Sequence, residues 1–299
     1  MPGRAEGLSR RRHFFAGTVL SCLLATGVAG AGWASGRTTL EDGGWCGEVP
    51  SAPVVRWRIV RGRGADFRRL WNAWDAETRL LVQRVNRKDY RHLQRSRFVV
   101  VPQGETPRGP VAGPFPPCLA SAASVGKIVF VDQSNQAFGA YEAGRLARWG
   151  AVSTGTERHP TPNGLYHANW RSRLKRSTIN ANWLMPWYVN LHTSMGVAFH
   201  QYELPGHPAS YGCIRLLRED ARWLYEWLEL GRPDPETPGA WLQWGTPVIV
   251  LGTPPREAPY PWERLTEDAG ADRVDSADLT AALESYRWAI ERRVGRSKR

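Results

Sequence analysis

From Gly126 onward the chain alternates with a period of two. Residues 127–132, 136–142 and 145–152 each read as a strand, with Ser134-Asn135 and Ala143-Gly144 as the turns between them. That pattern predicts an antiparallel meander, and so a mainly β domain starting near residue 126. Upstream the period is helical. Phe67, Leu70, Trp71, Trp74, Leu81, Val82 and Val85 fall on one stripe of a predicted helix over 65–85, with arginines filling the other side. A short helix over 88–93 and a strand over 98–101, closed by Pro102, follow. The Pro- and Gly-rich run 103–117 is expected to be a linker between the two patterns. Further strands are predicted at 197–200 and 248–251. A helix over 219–230 opens on acids and closes at Gly231, and a last helix over 276–293 has Asp275 or Ser276 as its N-cap.

The N-terminus points to export. Arg10, Arg11 and Arg12 precede an apolar run from Phe14 to about Ala31. Arg11-Arg12-His13-Phe14-Phe15 has a twin-arginine pattern, and small residues through Ala34 offer a cleavage site. An uncleaved anchor is the alternative, and the lipoprotein reading at Cys22 is weak because the chain stays apolar beyond it. Export leaves Cys46, Cys118 and Cys213, an odd number in an oxidising compartment. Cys46 and Cys118 both sit in Gly/Pro-rich surroundings, and pairing them is the economical expectation. Cys213 is then a free thiol.

The net charge of +12 asks for an anionic partner. It is unevenly placed: residues 56–97 hold 13 basic and 4 acidic residues, against 12 and 10 for residues 126–252. The charge therefore belongs to an N-terminal module, expected to dock on anionic envelope polymer or lipid. Nucleic acid is excluded as a partner by the compartment, not by the charge. The 15 tryptophans are spread along the chain and are expected to serve packing more than sugar stacking.

One segment carries chemistry. His200 closes a predicted strand, and Cys213 follows Gly212 in a turn 13 residues later. A thiol becomes a nucleophile when a neighbour takes its proton, and an imidazole can do so. A glycine before the cysteine lets consecutive N–H groups converge on one developing oxyanion. The residue types suit acyl transfer through a thioester.

The run His200…His207-Pro-Ala-Ser-Tyr-Gly-Cys213-Ile-Arg-Leu resembles the active-site signature of the L,D-transpeptidases of the YkuD type. So do Val152-Ser-Thr-Gly155 with Thr161-Pro-Asn-Gly164, Met185-Pro-Trp-Tyr188 and Gly245-Thr-Pro-Val248. The resemblance implies a β-sandwich or barrel catalytic domain with few helices and no cofactor or metal. It implies Cys213 as nucleophile on peptidoglycan stem peptides and His200 as base, oriented by the carbonyl of Gln201. The backbone of Tyr211, Gly212 and Cys213 would form the oxyanion hole. Ser210 would brace the turn, Arg215 could pair with a substrate carboxylate, and Met185 and Trp187 would flank the substrate. Tyr211 stands where the family usually has histidine. Residues 86–102 also resemble the end of a LysM-type wall-binding module.

The expected organisation is an export signal (1–34), a linker (35–55), the basic module (56–102), a Pro/Gly linker (103–125), the catalytic domain (126–252) and a C-terminal extension (253–299). Two rivals remain. His192, His200, His207 and Cys213 are zinc-ligand types, though at no familiar zinc spacing. A degenerate, non-catalytic peptidoglycan- or envelope-binding protein is the other, motivated by Tyr211.

Overall fold

The computed structural model describes residues 55–296 apart from 105, 107, 108, 110, 111, 238 and 239. The expected export signal and the linker with Cys46 lie outside the described residues, save for Val55. Among the described residues no helix is long and apolar enough to cross a membrane.

In chain order the elements are β1 (Arg56–Val60), α1 (Ala65–Ala73), α2 (Ala76–Val85), α3 (Tyr90–Leu93), β2 (Val99–Gln103), β3 (Lys127–Asp132), β4 (Ala137–Glu142), β5 (Arg145–Ser153), β6 (Gly164–His167), β7 (Trp170–Arg176), β8 (Leu184–His192), β9 (Val197–Gln201), β10 (Ile214–Leu216), α4 (Arg218–Trp227), β11 (Arg232–Pro233), β12 (Trp241–Gln243), β13 (Pro247–Leu251) and α5 (Ser276–Arg296). Nine strands form one mixed sheet in the order β6-β13-β3-β4-β5-β10-β9-β8-β7. Two neighbour pairs are parallel, β13 with β3 and β10 with β9. The fold is mainly β with helices at its N-terminal and C-terminal ends, as the sequence pattern and the resemblance implied.

The central strands are apolar on both faces because both faces are covered. Val129, Val131, Val248 and Val250 join Val189, Leu191, Val197 and Phe199 from the far half of the sheet, with Leu224 and Leu228 of the α4 region, in one core. The sheet must curl for those halves to meet. Ile128, Phe130 and Ile249 point the other way, into a second core closed by Leu81 and Val85 of α2 and by Leu279, Leu283 and Ile290 of α5. Phe115 and Leu119, from the stretch read as linker, are buried in this second core too. That stretch is a packed strap: Gly113 lies so close to the Trp149 ring that a Cβ would meet it at 2.4 Å. Cys118, at the strap's end, is disulfide-bonded.

The helix predicted over 65–85 is two helices. Trp74 leaves α1 in an extended conformation, and the Asp75 carboxylate caps α2 by accepting from the Thr78 amide at 2.7 Å. The break divides the predicted stripe: Phe67, Leu70, Trp71, Trp74 and Val82 pack together against Leu93, Val99 and Val101, whereas Leu81 and Val85 enter the second core. β1 pairs antiparallel with β2.

This N-terminal region is locked to the β domain by buried charge. Arg84 and Arg148 both hold the fully buried Asp220, with Arg84 Nε at 3.1 Å and Arg148 Nε at 2.8 Å. Arg87 is completely buried between the Trp149 and Trp262 rings. Its guanidinium donates to Asp272 at 2.8 Å and to the Asn135 carbonyl at 2.8 Å. Asp89 caps α3 and also accepts from the Leu204 amide at 2.8 Å. The region therefore rests on the loop that leads to Cys213.

Candidate active site

Strand alternation builds the floor of the site. Val197 and Phe199 of β9 face the core, which turns His200 to the opposite face. Ile214 and Leu216 of β10 likewise face the core and turn out Arg215, which lies beside His200 in the parallel register. On β8, Val189 and Leu191 face inward while Tyr188 and Asn190 face outward. His200, Cys213 and Arg215 meet in one cleft of about 480 Å³, walled by Met185, Tyr188 and Trp183.

The turn carrying Cys213 is held from below. Gly212 has φ +97°, a conformation that favours glycine. Thr161 Oγ1 donates to the Gly212 carbonyl at 3.0 Å and accepts from the Gly155 amide at 2.9 Å. The Thr154 carbonyl accepts from the amides of Ala209 and Ser210, and the Ser210 carbonyl from the Thr156 amide. The Ser210 hydroxyl donates to the Cys213 carbonyl. Gly155 has no room for a side chain, since a Cβ there would sit 2.1 Å from the His159 carbonyl oxygen. These bonds show what the Val152–Gly155 and Thr161–Gly164 motifs do physically: they fix the backbone around the thiol.

His200 is buried, and its Nδ1 donates to the Gln201 carbonyl at 2.9 Å. A carbonyl only accepts, so Nδ1 carries the proton and Nε2 keeps its lone pair. Burial pushes the His200 pKa down to about 4; the Gln201 bond opposes this, and the positive charge of Arg215 adds to it. Burial pushes the Cys213 thiol up to about 11, against the Ala198 backbone amide and Arg215, which favour the thiolate. The resting pair is thus a neutral imidazole and a neutral thiol, with the thiol donating to the Gly196 carbonyl at 3.1 Å. Cys213 remains partly accessible and is the free cysteine among the described residues.

Of the residues expected at the site, Cys213, His200, Ser210, Tyr211, Arg215 and Met185 line the cleft, and Gln201 orients the histidine. Trp187 does not line it. It has φ +56°, which breaks the strand alternation. Its ring is buried against Tyr225, under Arg173 at 3.5 Å and Arg222 at 5.6 Å. Tyr211 stacks on His159, with centroids 4.3 Å apart, and leans on Trp183. Cys46, the expected partner of Cys118, lies outside the described residues. His207 lines a separate cavity of about 350 Å³, together with Pro160 and Tyr260, and bonds to the Pro208 carbonyl at 3.1 Å. His192 accepts from the Met195 amide at 3.3 Å.

The sequence reading missed Lys175, Trp183 and Asn190, and had Tyr188 only as the last residue of the Met185–Tyr188 motif. All four come from the β7–β8 hairpin, whose first strand, Trp170-Arg-Ser-Arg-Leu-Lys-Arg176, is a sheet edge. A solvated edge strand carries no apolar alternation, and β8 beside it is buried along residues 187–191, so neither strand had a period of two to read. The Pro and the two aromatics of Met185-Pro-Trp-Tyr188 were the available signal.

Residues 126–250 match the family model of the L,D-transpeptidase catalytic domain (YkuD). No curated protein matches the chain. Among solved structures, an L,D-transpeptidase from Stackebrandtia nassauensis is 26% identical, with 44% of this chain and 57% of that one covered and a TM-score of 0.35. One from Mycobacterium smegmatis is 19% identical, covering 42% and 58%, with a TM-score of 0.33. One from Mycobacterium tuberculosis is 23% identical, covering 42% and 57%, with a TM-score of 0.32. The chain thus spans less than two thirds of the length of these relatives.

Proposed function

We propose, on the premise that residues 126–250 are an L,D-transpeptidase catalytic domain, that the chain is an exported, cysteine-dependent enzyme acting on peptidoglycan stem peptides. One observation carries the reading: Cys213 and a backbone-oriented His200 open into the same cleft, on a turn fixed by the motifs that flank it. Its compartment would be the periplasm or cell envelope, from the arginines and apolar run before residue 35.

The chemistry follows from the neutral pair. His200 Nε2 takes the thiol proton as Cys213 sulfur attacks the donor carbonyl carbon. The oxyanion is met by backbone N–H groups of the 211–213 turn. The C–N bond breaks, and the departing amine takes the proton back from the imidazolium, leaving a thioester. An acceptor amine then attacks the thioester, gives its proton to His200, and releases the Cys213 thiol. A buried, uncharged base is suited to this cycle, because it need not be deprotonated first at neutral pH.

Tyr211 favours the second reading, a binding protein without turnover, since it replaces an imidazole beside the nucleophile. Its stack on His159 leaves the His200–Gln201 bond intact, which favours the enzyme. A mass measurement decides. Imipenem, present in a solved complex of a relative, should add covalently to the wild-type protein and leave Cys213→Ala unmodified. An unmodified wild-type mass would remove the enzymatic reading and leave the binding protein.

A further inference from the structure

The cleft around Cys213 holds two cations and no acid. Its lining contains Lys175 and Arg215 and no Asp or Glu. Neither cation forms an ion pair among the described residues, although both are half-buried. Glu203 is near enough for its charge to act on Arg215, but its carboxylate bonds Arg91 at 3.0 Å. Arg215 instead lies over the Tyr202 ring, 4.7 Å from its centroid, which fixes the guanidinium without neutralising it. Lys175 rises from the opposite wall, on β7, directly across from Met185 of β8. Everything else in the lining is neutral: aromatics, Met185, Met195, and the hydroxyls and amides of Ser177, Thr193 and Asn190.

A half-buried cation with no partner is an unfilled electrostatic position. Two of them facing one concave space, beside the nucleophile, suit a ligand with two separated negative charges. We propose that the acyl donor is a peptide carrying two free carboxylates, with Arg215 reading the carboxylate nearer the scissile amide and Lys175 reading a second one farther along the peptide. The enzyme then discriminates against donors in which either carboxylate is capped as a carboxamide. This rests on the stem-peptide reading and narrows it to the unamidated class.

The test separates the two. Binding is measured in the Cys213→Ala protein, where no chemistry intervenes, by titration calorimetry with a synthetic tetrapeptide donor and with its mono-carboxamides. The dicarboxylate should bind about tenfold more tightly than the amide capped at the far carboxylate. In the Lys175→Gln, Cys213→Ala protein that preference should vanish while binding of the capped peptide stays the same. Lys175 lies on an edge strand, so the substitution leaves the core untouched. Arg215→Gln should abolish the preference for the near carboxylate in the same way. Equal affinity for free and capped peptides overturns the inference while leaving the function intact if imipenem still acylates Cys213. Absence of binding by every peptide overturns it as well, and absence of the imipenem adduct separately overturns the function.

Discussion

The chain handles positive charge in two opposite ways. At the junction between the N-terminal helices and the sheet, Arg84, Arg87 and Arg148 are each closed by an acid, Asp220 or Asp272. In the cleft, Arg215 and Lys175 have none among the described residues. Burial makes an unpaired charge costly, so a position that serves the fold alone must supply its own counter-charge. A cation left open in a concave site is completed by whatever binds there. The same residue type is thus glue in one region and a recognition element in the other, and the net charge of +12 says nothing about which.

The sharpest way to break this contrast is Asp220→Ala. It leaves the Arg84 and Arg148 guanidinium groups facing a void with no acid between them. A loss of about 3–5 kcal/mol in urea unfolding is expected. Arg84→Met added to that variant should recover part of the loss, because it removes one of the stranded charges. Unfolding at the wild-type midpoint would show that Asp220 does not hold the junction. Lys175→Gln, its counterpart in the cleft, should leave stability within about 0.5 kcal/mol.

The next effect comes from His200, a buried titratable group that has no acid beside it. Its pKa falls from 6.5 to about 4 on folding. The unfolded chain therefore binds more protons between those values, and stability is lost as pH drops from 6.5 toward 4. The shift corresponds to about 3 kcal/mol. Acidic groups titrate in the same range, so the measurement is the difference between wild type and His200→Gln. The variant should lack that part of the slope. Identical pH profiles would mean that burial does not shift the His200 pKa on folding.

What was legible in the sequence follows from where a residue's environment shows in its own neighbourhood. The meander at 127–153 was readable because β3, β4 and the second half of β5 are apolar and buried and the turns between them are short. Ala143-Gly144 takes positive φ at both positions, as a tight hairpin requires. His200, Cys213 and the Gln201 carbonyl were readable because they lie within one contiguous motif. Lys175 was not, since it enters the cleft from the solvated edge strand β7, and Asn190 was not, since it stands in a buried strand whose neighbours give no alternation. Trp187 was misplaced because nothing local announces its positive φ. The junction arginines could not be told from surface arginines: Arg84 and Arg148 find Asp220 across 136 and 72 residues.

The smallest expected effect on stability belongs to the arginines that are neither buried nor in the cleft. Arg56 and Arg58 on β1 are exposed and have no acid partner among the described residues. Replacing either with Gln should change unfolding stability by less than about 0.5 kcal/mol. If the basic region docks on an anionic surface, the same substitutions should weaken sedimentation with phosphatidylglycerol vesicles by roughly fivefold each, about 1 kcal/mol per charge. Raising the salt should erase the difference, because exposed charges are screened over a Debye length of about 10 Å at 0.1 M. Deleting the whole region is the wrong experiment, since Leu81 and Val85 belong to the core and Arg84 and Arg87 to the junction. Unchanged vesicle binding in the double Gln variant would confine the use of positive charge to the junction and the cleft. A loss of binding at unchanged stability would add a third use, in which the arginine is left open to a surface instead of a cleft.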